Sequence, residues 1–436
     1  LFVTPDGCVG TKFAEAGWGA MALHDPSHRP SRLYADITQS WSDIGGGVRT
    51  YLRHKRRHIL ENTPHRHLMI VPGRSDTVEL EEDGRGITVT LASPRVPGSP
   101  HYRLMLRNGA VRSTLAEYAP DLIECQDAYN LPWAAIGHAR RNPATALVAA
   151  YCTDFPTVYV DRPFSKWLGI PAGAAASRLC YAYCARLYRR FDAVYAMSEN
   201  GGAAKLRALG VADVDVVPLG VELGQFSPAK RNPALRRKLG LSNEQPLLIY
   251  VGRLDAEKRP QVVVEAFRRL PPSLGAALLL IGDGPLRDQF TEREHDRIFA
   301  PGYCNDRSDL AAWMASADLY VSAMADETFG ISVIEAQASG LPVVGVAAGA
   351  MVDRVPDGLG LVGDVDDAGV MASNILAVLD GNIAAMSERA RAHALQFSWD
   401  QSMALLFGRV YRGALARTAA RAAQLPITEK GALVEA

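Results

Sequence analysis

Short apolar runs rich in β-forming residues alternate with helical patterns along most of this chain of 436 residues. In the first half, the expected strands include Leu33–Ile37, Leu122–Cys125 and Ala146–Tyr151. The patterns at Val48–Ile59 and Leu131–Arg141, which fall between them, are typical of helices. Strands that alternate with crossover helices form parallel sheets with helices on both faces. The alternation therefore predicts an α/β protein with doubly wound sheets.

The same alternation continues in the second half, with expected strands at Leu247–Val251, Ala277–Ile281 and Leu319–Ser322. A chain of this length exceeds one ordinary core, so we expect two domains. Their expected junction is Pro218–Pro228, which holds two prolines and two glycines. In such sheets ligands bind beyond the carboxyl ends of the strands, so two facing domains would create a cleft.

The predicted domain boundaries follow from these patterns. We assign no fold to 1–30, and we expect an N-terminal Rossmann-like domain at 31–222 and a second one at 223–400. A C-terminal helix and tail are expected at 401–436. We expect the helices at the end of the chain to cross back to the first domain.

The charge balance argues against one class of partner. Forty-seven Lys and Arg residues cancel 47 Asp and Glu residues, so no net field attracts nucleic acid. The six cysteines lack the paired spacing of a zinc site or a disulfide framework. No apolar run approaches the roughly 20 residues of a membrane-spanning helix. We therefore expect a cytoplasmic protein, with contact to the inner face of a membrane left open.

Glu327 and Glu335 stand eight residues apart on either side of an expected helix start. Between them, the free backbone N–H groups of Phe329, Gly330 and Ile331 form a helix N-terminus, where anions bind readily. Carboxylates accept hydrogen bonds from hydroxyl groups. The arrangement indicates a ligand with a sugar at one side and a phosphate in the middle. The alternative is a surface acid followed by an acid near a helix start.

Two glycine-containing loops follow expected strands of the second half. After Gly252, Arg253 and Lys258 lie at the carboxyl end of a strand, where two cations suit a diphosphate. The turn Ile281-Gly-Asp-Gly-Pro285 follows the next strand, and its Gly282 lets a backbone approach a ligand closely. Taken alone, the first loop is more typical of a solvated surface loop.

Together these motifs resemble the nucleotide-sugar half of retaining glycosyltransferases of the GT-B fold, specifically glycosyltransferase family 4. The matches are Gly-Arg-Leu-x-x-Glu-Lys at 252–258, Ile-Gly-Asp-Gly-Pro at 281–285 and Glu-x-Phe-Gly-x-x-x-x-Glu at 327–335. The similarity is strong over 245–365 and weaker but continuous back to about residue 33. It implies two doubly wound Rossmann-like domains that face each other across a cleft.

The resemblance also implies roles for four side chains. Glu327 would contact hydroxyl groups of the donor sugar, and Glu335 would hold the ribose hydroxyls. Arg253 and Lys258 would neutralise the diphosphate in place of a metal ion, because preorganised cations stabilise charge on a departing group. No cofactor is expected beyond the nucleoside diphosphate sugar, which is the co-substrate.

The remaining donor-site expectations concern backbone groups. The resemblance places the N–H groups around Phe329–Ile331 at the phosphates, with Gly252 and Gly282 lining the same site. In the first half, Gly46 and Gly47 lie between the first strand and the first helix. The family has a glycine-rich loop there, near the donor phosphates and the acceptor, and these two residues permit close backbone approach.

One segment departs from the family pattern. In Ala150-Tyr-Cys-Thr-Asp-Phe-Pro156, Cys152 stands where the family usually has a His that faces the donor sugar. Cys152 could be a small apolar filler. The site could equally still work, since retention by a front-face route needs no protein nucleophile, or transfer could be weakened or lost. Asp127 and Asp154 are the next polar candidates, expected on the acceptor side.

Three other patterns have simpler explanations than a functional site. The segment Gly358–Gly363 fits a dinucleotide fingerprint formally, but we interpret it as a loop and an edge strand. The histidine-rich stretch His54–His67 lies among charged residues and predicts a solvated helix and loop. Tyr181, Tyr183 and Tyr188, on the expected helix 174–190, predict packing beside a charged face, with a membrane surface as the alternative.

We therefore expect a retaining, metal-independent transferase that moves a hexosyl group from a nucleoside diphosphate sugar to a hydroxyl acceptor. UDP is favoured over GDP as the leaving group, and a lipid or polysaccharide intermediate is favoured as the acceptor. One alternative is a nucleotide-sugar-binding protein with weak or no transferase activity, which Cys152 makes conceivable. Another is an NAD-dependent oxidoreductase, which would need a fingerprint that Asp36–Gly47 does not supply.

Overall fold

The computed structural model describes residues 2–3, 9–10, 31–42, 46–81, 84–96, 99–291 and 296–424. The chain divides into two compact units. One comprises Leu1–Ala196, Leu206–Val217 and Met403–Ala436, and the other comprises Met197–Lys205 and Pro218–Ser402. The end of the chain thus returns to the first unit, as the sequence predicts.

The first unit is built on one large sheet. Its strands are β1 (Phe2–Val3), β2 (Val9–Gly10), β3 (Leu33–Ile37), β4 (Arg66–Gly73), β5 (Thr77–Glu81), β6 (Gly86–Ala92), β7 (Arg95–Val96), β8 (Ser99–Arg103), β9 (Leu122–Cys125), β10 (Ala146–Tyr151), β11 (Ala193–Ala196) and β12 (Val214–Val216). Eight of them form a sheet in the order β12-β11-β10-β9-β3-β4-β6-β5. All neighbours in it are parallel except β5 and β6, which pair antiparallel.

The second unit contains a six-stranded sheet that is parallel throughout. Its strands are β13 (Leu247–Val251), β14 (Ala277–Ile281), β15 (Ile298–Gly302), β16 (Leu319–Val321), β17 (Val343–Val346) and β18 (Gly360–Gly363), in the order β15-β14-β13-β16-β17-β18. The chain runs outward from β13 on one side and from β16 on the other. The loops after these two strands therefore flank the crevice where ligands bind in such sheets.

Helices connect most of the strands. In chain order they are α1 (Gly47–Asn62), α2 (Asn108–Tyr118), α3 (Leu131–Arg141), α4 (Arg162–Leu168), α5 (Ile170–Tyr188), α6 (Ala204–Ala208), α7 (Pro233–Lys238), α8 (Pro260–Arg268), α9 (Asp288–Thr291), α10 (Arg307–Ser316), α11 (Ile331–Ala338), α12 (Ala350–Arg354), α13 (Ala368–Leu379), α14 (Ile383–Ala394), α15 (Trp399–Leu405) and α16 (Arg412–Ala423). No single described helix is long and apolar enough to cross a membrane, and α13 with α14 meets that test only as a pair bent by 103°.

The core of the second unit explains why its strands are apolar runs without alternation. Leu248 and Tyr250 of β13, and Leu278 and Leu280 of β14, pack in one buried cluster with the helix residue Val263. The residues between them on both strands are buried as well. A parallel strand covered on both faces needs apolar side chains at every position, so these runs were readable from sequence.

One expectation about the strands of the first unit needs correction. The sequence predicted parallel sheets, but β5 is an antiparallel edge strand and β7 pairs antiparallel with β8. The residues of β5 are half-buried or exposed, so they carry no apolar run that would mark a strand.

The segment Gly358–Gly363 of the second unit was predicted to be a loop and an edge strand rather than a dinucleotide fingerprint. This prediction is confirmed, because β18 lies at the edge of the second sheet.

The histidine-rich stretch also differs from its prediction, because Lys55, Arg56 and His67 are buried. The Nζ atom of Lys55 lies 2.6 Å from Asp36 Oδ1 and 3.1 Å from Glu124 Oε1. These carboxylates stand on β3 and β9, beside helix α1. A charged local composition predicts solvent exposure, and it does not reveal partners that the fold supplies from distant strands.

Candidate active site

Lys258 and Glu327 form an ion pair at the switch point of the second sheet, which is the place between β13 and β16 where the direction of winding changes. Lys258 lies on the loop after β13, Glu327 on the loop after β16, and Nζ is 3.0 Å from Oε2. Burial acts to raise the pKa of Glu327, but Lys258 and two backbone N–H groups outweigh it and lower the pKa below its ordinary value. The Glu327 carboxylate is therefore ionised at neutral pH.

The two N–H groups belong to Phe329 and Gly330, and both act to lower the pKa of Glu327. Gly330 has a φ of 82°, which favours glycine, and it directly precedes Ile331, where α11 begins. The helix N-terminus predicted for a phosphate thus lies beside the carboxylate of its own loop. A diphosphate that binds these N–H groups would meet Glu327 next to it.

The backbone carbonyls of Glu327 and Thr328 accept hydrogen bonds from residues outside this loop. Ser198 Oγ donates to the carbonyl of Thr328 at 2.8 Å, and the N–H of Ala350 donates to the carbonyl of Glu327 at 2.7 Å. A peptide is planar, and its C=O and N–H point in opposite directions. The Ser198 bond therefore aims the next N–H, that of Phe329, towards the anion position.

Arg354 does the same for the following peptide. Its Nε donates to the carbonyl of Phe329 at 2.8 Å and its Nη2 to the carbonyl of Met197 at 3.0 Å. Its guanidinium also lies 4.6 Å from the ring centroid of Phe329 and 4.8 Å from that of Phe397. Burial lowers the pKa of Arg354 to about 10, which leaves it charged at neutral pH. By holding the Phe329 carbonyl, Arg354 orients the N–H of Gly330.

The side chain of Arg253 pairs with two carboxylates of its own loop. Its guanidinium contacts Asp255, and Nη2 lies 2.7 Å from Glu257 Oε2. Its side chain is 61% exposed, so solvent screens these pairs. Arg253 can leave both carboxylates at little cost if a diphosphate binds nearby.

Gly252 and Gly282 lie where two loops of the second unit pack closely against each other. The N–H of Gly252 donates to the carbonyl of Ile281 at 3.0 Å, so the loops after β13 and β14 run side by side. Gly282 has a φ of 151°, and a Cβ added to it would lie 1.8 Å from the carbonyl oxygen of Gly252. The close approach that the sequence predicted is therefore an approach between two loops.

Glu335 is buried on α11 and pairs with Arg307, a residue that the sequence analysis missed. Burial raises the pKa of Glu335 above its ordinary value, although the charge of Arg307 acts against this rise. Arg307 opens α10, and its guanidinium lies 4.8 Å from the ring centroid of Phe226. Its position at the start of the helix that follows β15 was the available signal, because segments at the carboxyl edge of a parallel sheet carry ligand contacts.

In the first unit, Gly46 and Gly47 stand at the start of α1. Gly46 has a φ of 137°, which explains the glycine, and its carbonyl accepts the N–H of Thr50 at 3.0 Å. A Cβ added to Gly47 would meet nothing within 4 Å, so no steric constraint explains that glycine. Residues 43–45 of the glycine-rich loop lie outside the described part of the chain.

Asp127 is buried against the loop that follows β3. Its carboxylate accepts hydrogen bonds from the Thr38 hydroxyl at 3.0 Å, from the Gln39 N–H at 2.5 Å and from the Ser40 hydroxyl. Burial raises the pKa of Asp127, and these hydrogen bonds act in the opposite direction. The structure thus gives Asp127 the task of holding this loop.

Asp154 is buried too, and it holds α5. Its Oδ1 and Oδ2 lie 2.7 and 2.9 Å from the hydroxyl of Tyr181, and Thr157 Oγ1 donates to Oδ2 at 3.2 Å. The packing role predicted for the tyrosines of this helix is confirmed, because Tyr188 is buried and the Tyr183 hydroxyl donates to the carbonyl of Tyr129 at 2.8 Å.

Cys152 follows β10 and lies beside a buried polar network. Its Sγ is 3.5 Å from Oε1 of Gln126, whose amide nitrogen donates to Asp36 and Glu124. Burial raises the pKa of the Cys152 thiol well above its ordinary value, and the charges of Glu124 and Asp127 raise it further. Cys152 is therefore a protonated thiol at neutral pH.

Among the described residues, no group of three or more His, Cys, Asp and Glu side chains is arranged to hold a metal ion. Cations next to the candidate donor residues include Lys258, Arg253, Arg307 and Arg354. Metal independence remains a prediction.

Comparison with known proteins gives a consistent result. Residues 45–225 match the family described as Glycosyltransferase Family 4, and residues 231–395 match Glycosyl transferases group 1. A GDP-mannose-dependent alpha-mannosyltransferase of Corynebacterium glutamicum is 31% identical, over 78% of this chain and 78% of its own length. A GDP-mannose-dependent alpha-(1-6)-phosphatidylinositol dimannoside mannosyltransferase of Mycobacterium tuberculosis is 28% identical, over 78% of this chain and 86% of its own.

Solved structures share the fold. A sucrose-phosphate synthase of Thermosynechococcus elongatus superimposes with a TM-score of 0.69 at 20% identity, and the match covers 88% of this chain and 99% of the synthase. At that identity the likeness concerns the fold alone, which is the GT-B arrangement of two Rossmann-like domains.

Proposed function

Because this chain belongs to glycosyltransferase family 4 and is a glycosyltransferase of the GT-B type, we propose that it transfers a mannosyl group from GDP-mannose to a hydroxyl acceptor. The observation that carries the proposal is the Lys258–Glu327 pair at the switch point, with the buried Glu335 on the helix that follows. One cation and two carboxylates around a helix N-terminus suit a phosphate flanked by two sugars.

The identity of the nucleotide is the finer part of the proposal. The sequence alone favoured UDP over GDP. Two relatives that match over most of their length are GDP-mannose-dependent by name, which supports GDP and mannose instead. The M. tuberculosis relative acts on a phosphatidylinositol dimannoside by name, which supports a glycolipid acceptor near a membrane.

The residues suggest how a retaining transfer would proceed here. The bond between the sugar C1 and the phosphate oxygen breaks as the acceptor oxygen bonds to C1 on the same face. The acceptor proton passes to the departing phosphate oxygen, so no protein nucleophile is needed. Lys258 and Arg253 stabilise the negative charge on the departing diphosphate. Glu327 turns away from the helix N-terminus and accepts hydrogen bonds from hydroxyl groups of the sugar.

Thermal unfolding with GDP, UDP, ADP and their sugars tests the donor. A ligand at a hundred times its Kd adds about 2.7 kcal/mol to the free energy of unfolding. We expect GDP and GDP-mannose to raise Tm most. A larger effect of UDP would overturn the choice of donor, and no response to any nucleotide would overturn the proposed function.

Product analysis tests the reaction itself. We expect release of GDP from GDP-mannose, transfer to a glycolipid acceptor with the anomeric configuration kept, and an unchanged initial rate in EDTA. A strict requirement for a divalent ion would contradict the metal-independent route. Binding of GDP-mannose without hydrolysis or transfer would favour the alternative of a nucleotide-sugar-binding protein.

A further inference from the structure

Large apolar side chains face the solvent on the hairpin formed by α4 and α5. We define the outer face of the hairpin as the following residues, with their exposed fractions: Phe164 (44%), Trp167 (83%), Leu168 (68%), Ile170 (77%) and Leu179 (75%). They fall within sixteen consecutive positions of the chain. Single exposed apolar residues are normal on soluble proteins, but a cluster of large ones marks an interaction surface.

The interior of the same hairpin is lined with small residues. A Cβ added to Gly173 of α5 would lie 2.0 Å from Ser165 Oγ of α4 and 2.6 Å from Asp161 Oδ1. Ser177, one turn further along, is buried. A hairpin that packs only for stability buries its largest side chains and exposes its small ones. Along α4 and the first turns of α5 the arrangement is the reverse, although Leu187 and Tyr188 at the end of α5 are buried. Packing within the first unit therefore does not explain the outer face.

The charge of the segment points to the partner. Residues 162–190 contain six Lys and Arg residues and no Asp or Glu, although acidic and basic residues balance over the whole chain. Asp161, which directly precedes them, accepts a hydrogen bond from the Ser165 hydroxyl inside the hairpin. Arg178 and Arg186 are exposed on α5. Apolar anchors that include Trp, flanked by basic residues alone, match the chemistry of an anionic lipid surface.

The base of the hairpin reaches a residue expected on the acceptor side. The Tyr181 hydroxyl of α5 donates to Asp154, and Thr157 Oγ1 lies 2.8 Å from the same hydroxyl. Asp154 is two residues beyond Cys152 in the chain. A surface on which the hairpin docks would therefore lie near the segment of Cys152 and Asp154, which departs from the family pattern.

We propose that the outer face of the α4–α5 hairpin docks on an anionic lipid bilayer, with Trp167, Leu168 and Ile170 inserted at the headgroup level. Arg178 and Arg186 contact lipid phosphates beside them. The interaction is peripheral, through one face of a short hairpin. It stands on this surface alone and does not depend on which nucleotide sugar the second unit binds.

Co-sedimentation of the full chain with lipid vesicles tests the proposal. We expect binding to phosphatidylcholine vesicles that contain phosphatidylglycerol, and binding weaker by about tenfold or more when phosphatidylglycerol is absent. Added salt should weaken the first interaction. Trp167→Ser/Ile170→Ser should abolish binding by removing two apolar anchors. Arg178→Glu/Arg186→Glu should remove the preference for phosphatidylglycerol.

The matched control is Leu80→Ser, because Leu80 is 56% exposed on the edge strand β5. This variant should bind vesicles like the wild type. The hairpin variants should keep the wild-type thermal response to GDP, which separates a failure of docking from a failure of the proposed function. Vesicle binding by Trp167→Ser/Ile170→Ser at the wild-type level, or none by the wild type, would overturn the proposal. So would a dimer that these substitutions dissociate, without vesicle binding, because a second copy would then cover the face.

Discussion

Lys258 Nζ lies 3.0 Å from Glu327 Oε2, although 69 positions separate the two residues in the chain. They lie on the loops after β13 and β16. These two strands are neighbours in the sheet, but the chain winds outward from them in opposite directions. The pair places one cation beside the N-terminus of α11. A departing diphosphate at this point would meet both the cation and the backbone N–H groups.

Lys258→Ala and Arg253→Ala should each lower turnover by about a hundredfold or more, because both cations are proposed to stabilise charge on the leaving group. Initial rates at saturating donor measure this directly. Arg269→Ala is the control, since Arg269 is an exposed cation in an ion pair with Glu265 of α8. It should keep the wild-type rate. Wild-type turnover in Lys258→Ala would remove that residue from the mechanism.

Glu335→Gln should weaken GDP binding by about 1.5–3 kcal/mol, the worth of a hydrogen bond to a charged group. The same change should leave the protein as stable or make it more stable at neutral pH. The pKa of Glu335 is raised in the folded protein, so its ionised form costs stability as pH rises through that pKa. Glutamine removes this cost.

Calorimetric titration with GDP and thermal unfolding at several pH values check both effects. The difference in stability between wild type and Glu335→Gln should shrink as pH falls and Glu335 becomes protonated. Unchanged GDP affinity would show that Glu335 does not hold the nucleotide.

Arg354→Met should weaken GDP binding by about tenfold, because the lost hydrogen bond frees the peptide that aims the Gly330 N–H. Arg354 is a positioning residue, and Arg354→Lys should restore part of the affinity by keeping the charge. Arg389→Met is the matched control, since Arg389 donates to the carbonyl of Gly358 at 2.8 Å from an exposed position. Titrations well below Tm exclude unfolding as the cause. A folded Arg354→Met variant with wild-type affinity would refute the role.

Cys152 should react slowly with thiol reagents at neutral pH, because burial and nearby carboxylates raise its pKa and the thiolate is the reactive form. Cys152→Ser should change turnover only modestly, since a hydroxyl can also donate to Gln126. Labelling followed by mass spectrometry, with and without GDP-mannose, provides the measurement. Rapid labelling that GDP-mannose blocks would instead mean an accessible thiol at the donor sugar.

The strands of both sheets were largely predictable because they are buried on both faces. Leu122–Cys125, Ala146–Tyr151 and Leu247–Val251 have the predicted bounds, and each is an apolar run with little polar interruption. The edge strand Thr77–Glu81 was missed because it is half-buried or exposed, and its two glutamates at alternate positions leave no apolar run. Burial by other elements, which makes an apolar run necessary, is absent there.

The candidate site was predictable as far as its motifs reach. Glu327 and Lys258 lie on loops with recognisable spacing, and the fold brings them together. Arg307 was missed although its place on the helix after β15 was an available signal, because its partner Glu335 stands on another helix. Arg354 carries no local signal, because nothing in its own helix shows that it will be buried and hold a carbonyl on another loop.

GDP binding and mannosyl transfer by Glu327→Ala test the central claim most directly. The carboxylate of Glu327 lies beside the two N–H groups assigned to the diphosphate, which act to lower its pKa, and it pairs with Lys258. Its removal should leave GDP affinity at the wild-type level or higher, while transfer falls by about a hundredfold because the sugar loses its partner. If GDP binding is lost together with transfer, or if transfer is unchanged, the N-terminus of α11 is not the diphosphate site in the way described.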